Sequence, residues 1–533
     1  MMRPTLLVSV ALGLALVGCS PKDTEGAAQP NLLLVSIDCL RADHVSCYGY
    51  GRKTTPTLDQ LAEGGVRFER TISSSSWTLP AHLSMLTGLP VSAHGVDDDR
   101  LYSRRDNQGA PIEVPLRGVF VSEVLQSAGY ATAGFFTWKY LEDQFGFGPG
   151  FDVWERLGHT FYSHPEVAPQ WERLQAAGDV EGMKTLAAEH PDLFDAARPS
   201  APETVDRALA WLGEHEDTQD DQPFFLFVHL FDAHDPYHPP EPHYSLFGEG
   251  YTGPIDGHNV TSPDSPVRGD MDPADLKRLV SLYDGAIHFV DSELARLFEG
   301  LRARGLEENT LVIVTADHGE EFFEHGNKTH RRQLHMESIA VPLILSWPGG
   351  LPAGQVVKET TGLVDLVPTL LAAAGVDGPV PTAGRDLLPL ARGMSGSKAP
   401  GYLAELTLFD GEGAPQRHAS IVSGDEQWIL KARGLAAWEA LRFDLAANPL
   451  GAGPGQAVDM GTSESPAALL ERQRTLLQRL RAAQPDRGGE AAALSSRDLL
   501  ELAAMGYGGD DDGAGPGADD ERLPLDGGVW ADD

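Results

Sequence analysis

Three runs of branched apolar residues, each ending in a carboxylate, constrain this chain more than any other feature. They are LLLVSID ending at Asp38, PFFLFVHLFD ending at Asp232, and TLVIVTAD ending at Asp317. Runs that are apolar throughout, rather than alternating, read as strands buried on both faces, the habit of parallel sheets. A fourth run, VPLILSWPG over 341–349, has the same character. Helical periodicity fills the intervals, as in TLDQLAEGG, ETVDRALAWLGEH and LYDGAIHFVDSELARLFEGLRARG. The alternation predicts an α/β domain with a mostly parallel central sheet flanked by helices. Sites in such sheets form outside the carboxyl ends of strands. One acid there is most often a helix cap; three in equivalent places point to a site.

The length, 533 residues, exceeds the roughly 250–300 that one core sustains. The strand and helix pattern occupies 31–395, with a polar stretch at 148–200 that reads as a helical insertion without a strand. From 396 to 460 the pattern changes to short strands (GYLAEL, HASIVSG, EQWILKAR, ALRFDL), which predicts a small C-terminal antiparallel-sheet α+β domain. Residues 465–507 read as helical, and 508–533 as an acidic disordered tail. With Lys+Arg at 41 and Asp+Glu at 78, the net charge is −37. That balance excludes nucleic acid as the main partner.

Residues 1–19 read as an address. Arg3 precedes an apolar run, 6–17, that is too short to span a bilayer and about right for a signal peptide. The run closes on Leu16-Val17-Gly18-Cys19, which resembles the bacterial lipobox. The resemblance implies acylation of Cys19, a tether over 20–30, and a lipid-anchored protein of the bacterial cell envelope.

The segment Ser76-Trp77-Thr78-Leu79-Pro80-Ala81-His82-Leu83-Ser84-Met85-Leu86-Thr87-Gly88 resembles the nucleophile signature of the sulfatase family, within the alkaline phosphatase superfamily. Thr78 holds the nucleophile position there. Thr315-Ala316-Asp317-His318-Gly319-Glu320 resembles the family's D-H-G-E motif, and the segment ending in Asp38 its first metal-binding strand. The resemblance implies a metal held by Asp38, Thr78, Asp317 and His318. His229, Asp232 and His234 lie in a segment similar to the family's H-x-x-D-x-H-x-P-Y, and His330 in the one that closes the site. With His82, these histidines are candidates for substrate contact, leaving-group protonation or a second metal. Asp232 is a further candidate ligand.

Four positions depart from the family's pattern. Thr78 cannot become formylglycine, because its β-carbon carries a methyl group. Cys39 stands where a second aspartate is usual, His318 where asparagine is common, and His82 where the signature has arginine. Imidazole suits zinc or manganese better than calcium, so zinc or manganese is favoured, with calcium as the alternative. The expected function is hydrolysis of sulfate or phosphate esters of small molecules or glycans, through a covalent intermediate on Thr78. The alternatives are phosphoryl transfer to an envelope glycan or lipid, and a non-catalytic binding protein on the same fold. Cys39 and Cys47 are open to three readings: a pair, a contact to the metal site, or small buried hydrophobes, which is the default.

Overall fold

The computed structural model describes residues 29–485, apart from 104–113, 159–163, 191–199, 219–221, 377–379, 396–400, 411–412, 434–436, 458–474 and a few isolated positions. The signal peptide with Cys19, nearly all of the tether, most of the 465–507 segment and the acidic tail lie outside the described residues.

The central sheet has nine strands. Their ranges are β1 (Asn31–Ile37), β2 (Val66–Ile72), β3 (Ala131–Phe136), β4 (Val153–Arg156), β5 (Phe224–Leu230), β6 (Thr310–Ala316), β9 (Ala340–Ser346), β10 (Gln355–Val357) and β11 (Thr361–Gly362). The order is β10-β2-β9-β6-β1-β5-β3-β4, with β11 also on β2. Every pairing is parallel except those of β9, which runs against both β6 and β2. A separate two-stranded ribbon joins β7 (Glu321–Phe322) to β8 (Lys328–Thr329). The four apolar runs became β1, β5, β6 and β9. Helices Pro56–Gly64, Ala201–Thr218 and Pro273–Ala303 carry the predicted helical patterns.

Five strands of the sheet were not expected: the short β10 and β11, and three longer ones. β2 reads VRFERTI, and its charged residues and half-exposed face hide it from a search for apolar runs. β3 is rich in Ala and Gly. Its Gly134 is required by packing, because a Cβ there would lie 2.2 Å from the Trp154 ring. Trp154 belongs to β4, four residues pairing in parallel with β3. The stretch 148–200 is therefore not wholly a helical insertion. It begins with the sheet's edge strand and then forms helices Ala168–Ala177 and Val180–Glu189.

The C-terminal part is a five-stranded antiparallel sheet of β12 (Tyr402–Phe409), β13 (Pro415–Ser423), β14 (Glu426–Arg433), β15 (Ala437–Asp444) and β16 (Gln456–Ala457). β12 reaches back into the first domain. The Glu405 N–H donates to Ser74 O at 2.9 Å, and Ser75 Oγ donates to Glu405 O at 2.8 Å.

Candidate active site

Register assembles the site. Ile37 pairs with Ala316 and Ser36 with His229, so Asp38 and Asp317 leave neighbouring strand ends while His229 stands one strand away. After Asp38 the chain turns at Cys39, whose φ of 58° is left-handed and uncommon for a residue with a Cβ. The turn is held by the Cys39 N–H donating to Asp317 Oδ1 (3.3 Å) and by Tyr283 OH donating to Cys39 O (2.6 Å).

Thr78 opens the helix Thr78–Thr87, all ten residues of which are buried. Pro80 suits that first turn, since its missing N–H would have no helical acceptor there. The serines ahead of it, Ser73 to Ser76, are clamped on four sides. Ser73 N–H donates to Ile339 O, and Ser73 Oγ donates to Asp317 O. Glu405 grips Ser74 and Ser75, and the Arg331 N–H donates to Ser76 O at 3.0 Å. Arg331 also lays its guanidinium over Trp77, 4.0 Å from the ring centre, while its nitrogens pair with Asp99.

Thr78, Asp38, Asp317 and His318 come together, each fully buried. His318 Nδ1 lies 2.8 Å from Gly319 O. A carbonyl only accepts, so Nδ1 carries a hydrogen, which in the neutral ring leaves the lone pair on Nε2. Nε2 faces Thr78 Oγ1 at 3.3 Å, Asp317 Oδ2 at 3.3 Å and Asp38 Oδ1 at 3.5 Å. Burial, and then the Asp38 carboxylate, push Asp317 up to about 6. Burial also works against the charged form of Asp38, but the imidazoles of His229, His234 and His318 around it outweigh burial and hold Asp38 below the usual carboxylate range.

The other histidines divide into two groups. His82 donates from Nδ1 to Thr78 O (2.9 Å), and its Nε2 meets Ser36 Oγ at 2.9 Å. Those bonds fix the backbone of Thr78, so the contacts of His82 are those of a positioning residue. Burial keeps it well below its ordinary value, hence neutral. His229 packs on His82 with Nε2 3.3 Å from Asp38 Oδ2. His234 and His330 form the second group, with ring centres 4.9 Å apart, and His330 lies 4.5 Å from the His318 ring. His234 Nδ1 donates to Asp235 O at 2.6 Å. Burial opposes its charge, but Asp235, Asp38 and Glu320 outweigh burial and raise it. His330 is pushed well down by burial and then by the charges of His318 and His234.

Asp232 corrects an expectation. It ends its run as Asp38 does, yet its oxygens accept from Ser200 N (2.7 Å), Ser200 Oγ (2.8 Å) and Ala201 N (2.7 Å). It caps the start of helix Ala201–Thr218 and stands apart from the Asp38, Asp317 and His318 group. Conversely, Glu320 was given no role, although it stands in the D-H-G-E motif. It is buried, with Oε1 3.1 Å from His330 Nδ1 and Oε2 accepting from Tyr237 OH at 2.7 Å. Its place three residues past Asp317 was the available signal. Cys39 and Cys47 are both free thiols, so they do not pair. Cys39 Sγ lies 3.1 Å from Asp38 Oδ1, which makes it a neighbour of the site.

A model of the family described as Sulfatase matches residues 30–376, and one described as N-sulphoglucosamine sulphohydrolase, C-terminal, matches 324–451. The chain is 28% identical over 413 residues to human arylsulfatase A, covering 74% of this chain and 72% of that one. It is 22% identical over 521 residues to an N-acetylglucosamine-6-O-sulfatase of Bacteroides thetaiotaomicron, covering 84% of this chain and 86% of that one. Its fold resembles the crystal structure of a phosphonate monoester hydrolase of Agrobacterium radiobacter, with a TM-score of 0.60 and 22% identity over 86% of this chain and 97% of that one.

Proposed function

The chain belongs to the sulfatase family of ester hydrolases, and from that premise we propose that it cleaves sulfate or phosphate esters through a covalent intermediate on Thr78. One observation carries the reading. Asp38 Oδ2 and Asp317 Oδ2 are buried and have no hydrogen-bond partner, which is costly unless a cation completes them. Two carboxylates, the lone pair of His318 and the Thr78 hydroxyl fit a divalent cation of the zinc or manganese type, with calcium as the alternative. When bound, such an ion supplies a lowered pKa for the hydroxyl and offsets charge on the ester's oxygens.

The chain's own residues supply the rest. Thr78 Oγ attacks sulfur or phosphorus, its proton passing to solvent, and the bond to the leaving oxygen breaks. His234, whose protonated form the acids around it favour against burial, donates to that oxygen. His330, neutral and supported by Glu320, then takes a proton from the water that cleaves the threonine ester. His82 fixes Thr78 throughout. The substrate is the ester of a small molecule or glycan. The relatives named for sulfate esters and the fold match to a phosphonate monoester hydrolase support keeping both groups open.

Turnover of aryl sulfate, aryl phosphate, phosphodiester and phosphonate monoester, with intact-mass analysis after acid quench, tests this. The expected result is an adduct that maps to Thr78 and is lost, with turnover, in Thr78→Ala. Full turnover in Thr78→Ala would reject the nucleophile. The anchor at Cys19 belongs to the same proposal. Cys19→Ala should move the protein from the membrane fraction to the soluble fraction of expressing bacteria, and an unchanged distribution would remove the anchor.

A further inference from the structure

The sheet fixes the backbone of Asp38 on one side only. The Asp38 N–H donates to Leu230 O at 2.9 Å, which ties it to β5. On the other side the chain leaves β1 through Cys39, and the conformation taken there decides where the Asp38 carboxylate sits. Cys39 is left-handed, with φ 58°, a conformation that a residue with a Cβ abandons unless its surroundings hold it.

The hold comes from a side chain remote in sequence. Tyr283, on helix Pro273–Ala303, donates its hydroxyl hydrogen to Cys39 O at 2.6 Å and accepts the Arg41 N–H at 3.0 Å. A hydroxyl has one donor and two lone pairs, so this single oxygen satisfies a carbonyl and the N–H two residues on. In a three-residue turn those two groups would bond each other directly. Cys39, Arg41 and Tyr283 are all buried. Without the hydroxyl, a buried acceptor and a buried donor lose their shared partner. The Tyr283 ring is itself packed edge-on against Tyr237 and His44, with centres 5.6 and 5.0 Å away.

The same turn reaches the second carboxylate. Asp317 Oδ1 accepts from the Cys39 N–H (3.3 Å) and from the His318 N–H (2.9 Å). Oδ2 is the oxygen left over, 3.3 Å from His318 Nε2. Cys39 Sγ lies 3.1 Å from Asp38 Oδ1 and 3.5 Å from His330 Nδ1, so a shift of the turn is felt on both sides of the site.

We propose that Tyr283 is a positioning residue for the cation, acting through the Cys39 turn on Asp38 and Asp317 together. The inference rests on the preceding reading that these two acids hold a divalent ion. Tyr283 touches neither the ion nor the ester. Its hydroxyl fixes the turn, and the turn sets which oxygens of the two carboxylates are free to bind.

Calorimetric titration of the chelator-treated full chain with zinc, manganese and calcium tests it. Tyr283→Phe keeps the ring and drops the hydroxyl. It should raise the dissociation constant of the most tightly held ion by about ten- to hundredfold, while KM for the ester at saturating ion stays that of the unaltered chain. Tyr130→Phe is the control, because Tyr130 is also buried and its hydroxyl donates to Pro30 O (3.0 Å) at the opposite end of β1. It should lower the denaturant midpoint of the chelator-treated chain as Tyr283→Phe does, and leave the dissociation constant unchanged. Equal ion affinity in Tyr283→Phe and the unaltered chain overturns the role and leaves the cation reading intact. Equal loss of affinity in both variants overturns it too, since any lost buried hydroxyl would then suffice. So does a raised KM at saturating ion, which would put Tyr283 in substrate binding, or a Tyr283→Phe chain that does not fold where Tyr130→Phe does. An unaltered chain that takes up no ion overturns the preceding reading, and this one with it.

Discussion

At the end of β5 the Asp232 carboxylate accepts three hydrogen bonds from Ser200 and Ala201. At the ends of β1 and β6, in the same sheet, Asp38 and Asp317 each keep a buried oxygen without a partner. The three acids end similar strands. The difference is which group arrives opposite them. The start of a helix brings N–H groups to Asp232, whereas a second carboxylate and a histidine face Asp38. A satisfied carboxylate is architecture; an orphaned pair is a demand for a cation.

The largest effect that would break this comparison is catalytic. Asp317→Asn should reduce turnover by at least about a thousandfold, while Asp232→Asn should leave it within a few-fold. Equal losses in steady-state assays would erase the distinction. The next effect is on stability. At a divalent ion concentration about a hundred times its Kd, the unaltered chain should gain about 2.7 kcal/mol. Asp232→Asn should keep that gain in thermal melts, and Asp317→Asn should lose most of it.

Glu405 sharpens the contrast, because it is buried and yet partnered. Its Oε2 accepts from Ser92 N–H (2.8 Å) and Ser92 Oγ (2.9 Å), but burial pushes it up to about 7. A folded value above the ordinary 4.5 means that the folded state holds the proton more tightly. Stability from this group is therefore fully present below about 4.5 and lost as pH rises to about 7. Glu405→Gln should match the unaltered chain at pH 4 and exceed it by about 3 kcal/mol above pH 7 in denaturant unfolding. A constant difference across pH would mean that the hydrogen bonds dominate. The smallest effect is the cap itself. Asp232→Ala should cost about 1 kcal/mol, read as a lower denaturant midpoint.

The sheet was legible where strands are apolar throughout, at β1, β5, β6 and β9. It was not legible at β2, where charges alternate with apolar residues, or at β3 and β4, where the information lies in Trp154 covering Gly134. The set Asp38, Thr78, Asp317 and His318 was legible because each member stands in a short motif beside a strand or helix end. The end of a run says that an acid is there but not what meets it, so Asp232 looked the same as Asp38. Its partner Ser200 lies 32 residues away, at the end of the polar stretch 148–200. Glu320 was missed as a site neighbour, and Cys39 was left with three readings, for a related reason. Their roles depend on His330, which a separate ribbon brings to them.

The bonds from Glu405 to Ser74 and Ser75 span 330 residues of sequence. A ribosome builds the threonine loop early and its clamp late. A growing chain therefore carries every group of the Asp38 and Thr78 set before the loop is gripped, and it is expected to turn over no ester until β12 is delivered. A chain stopped before Tyr402 should accordingly show the central sheet by circular dichroism while turning over no ester.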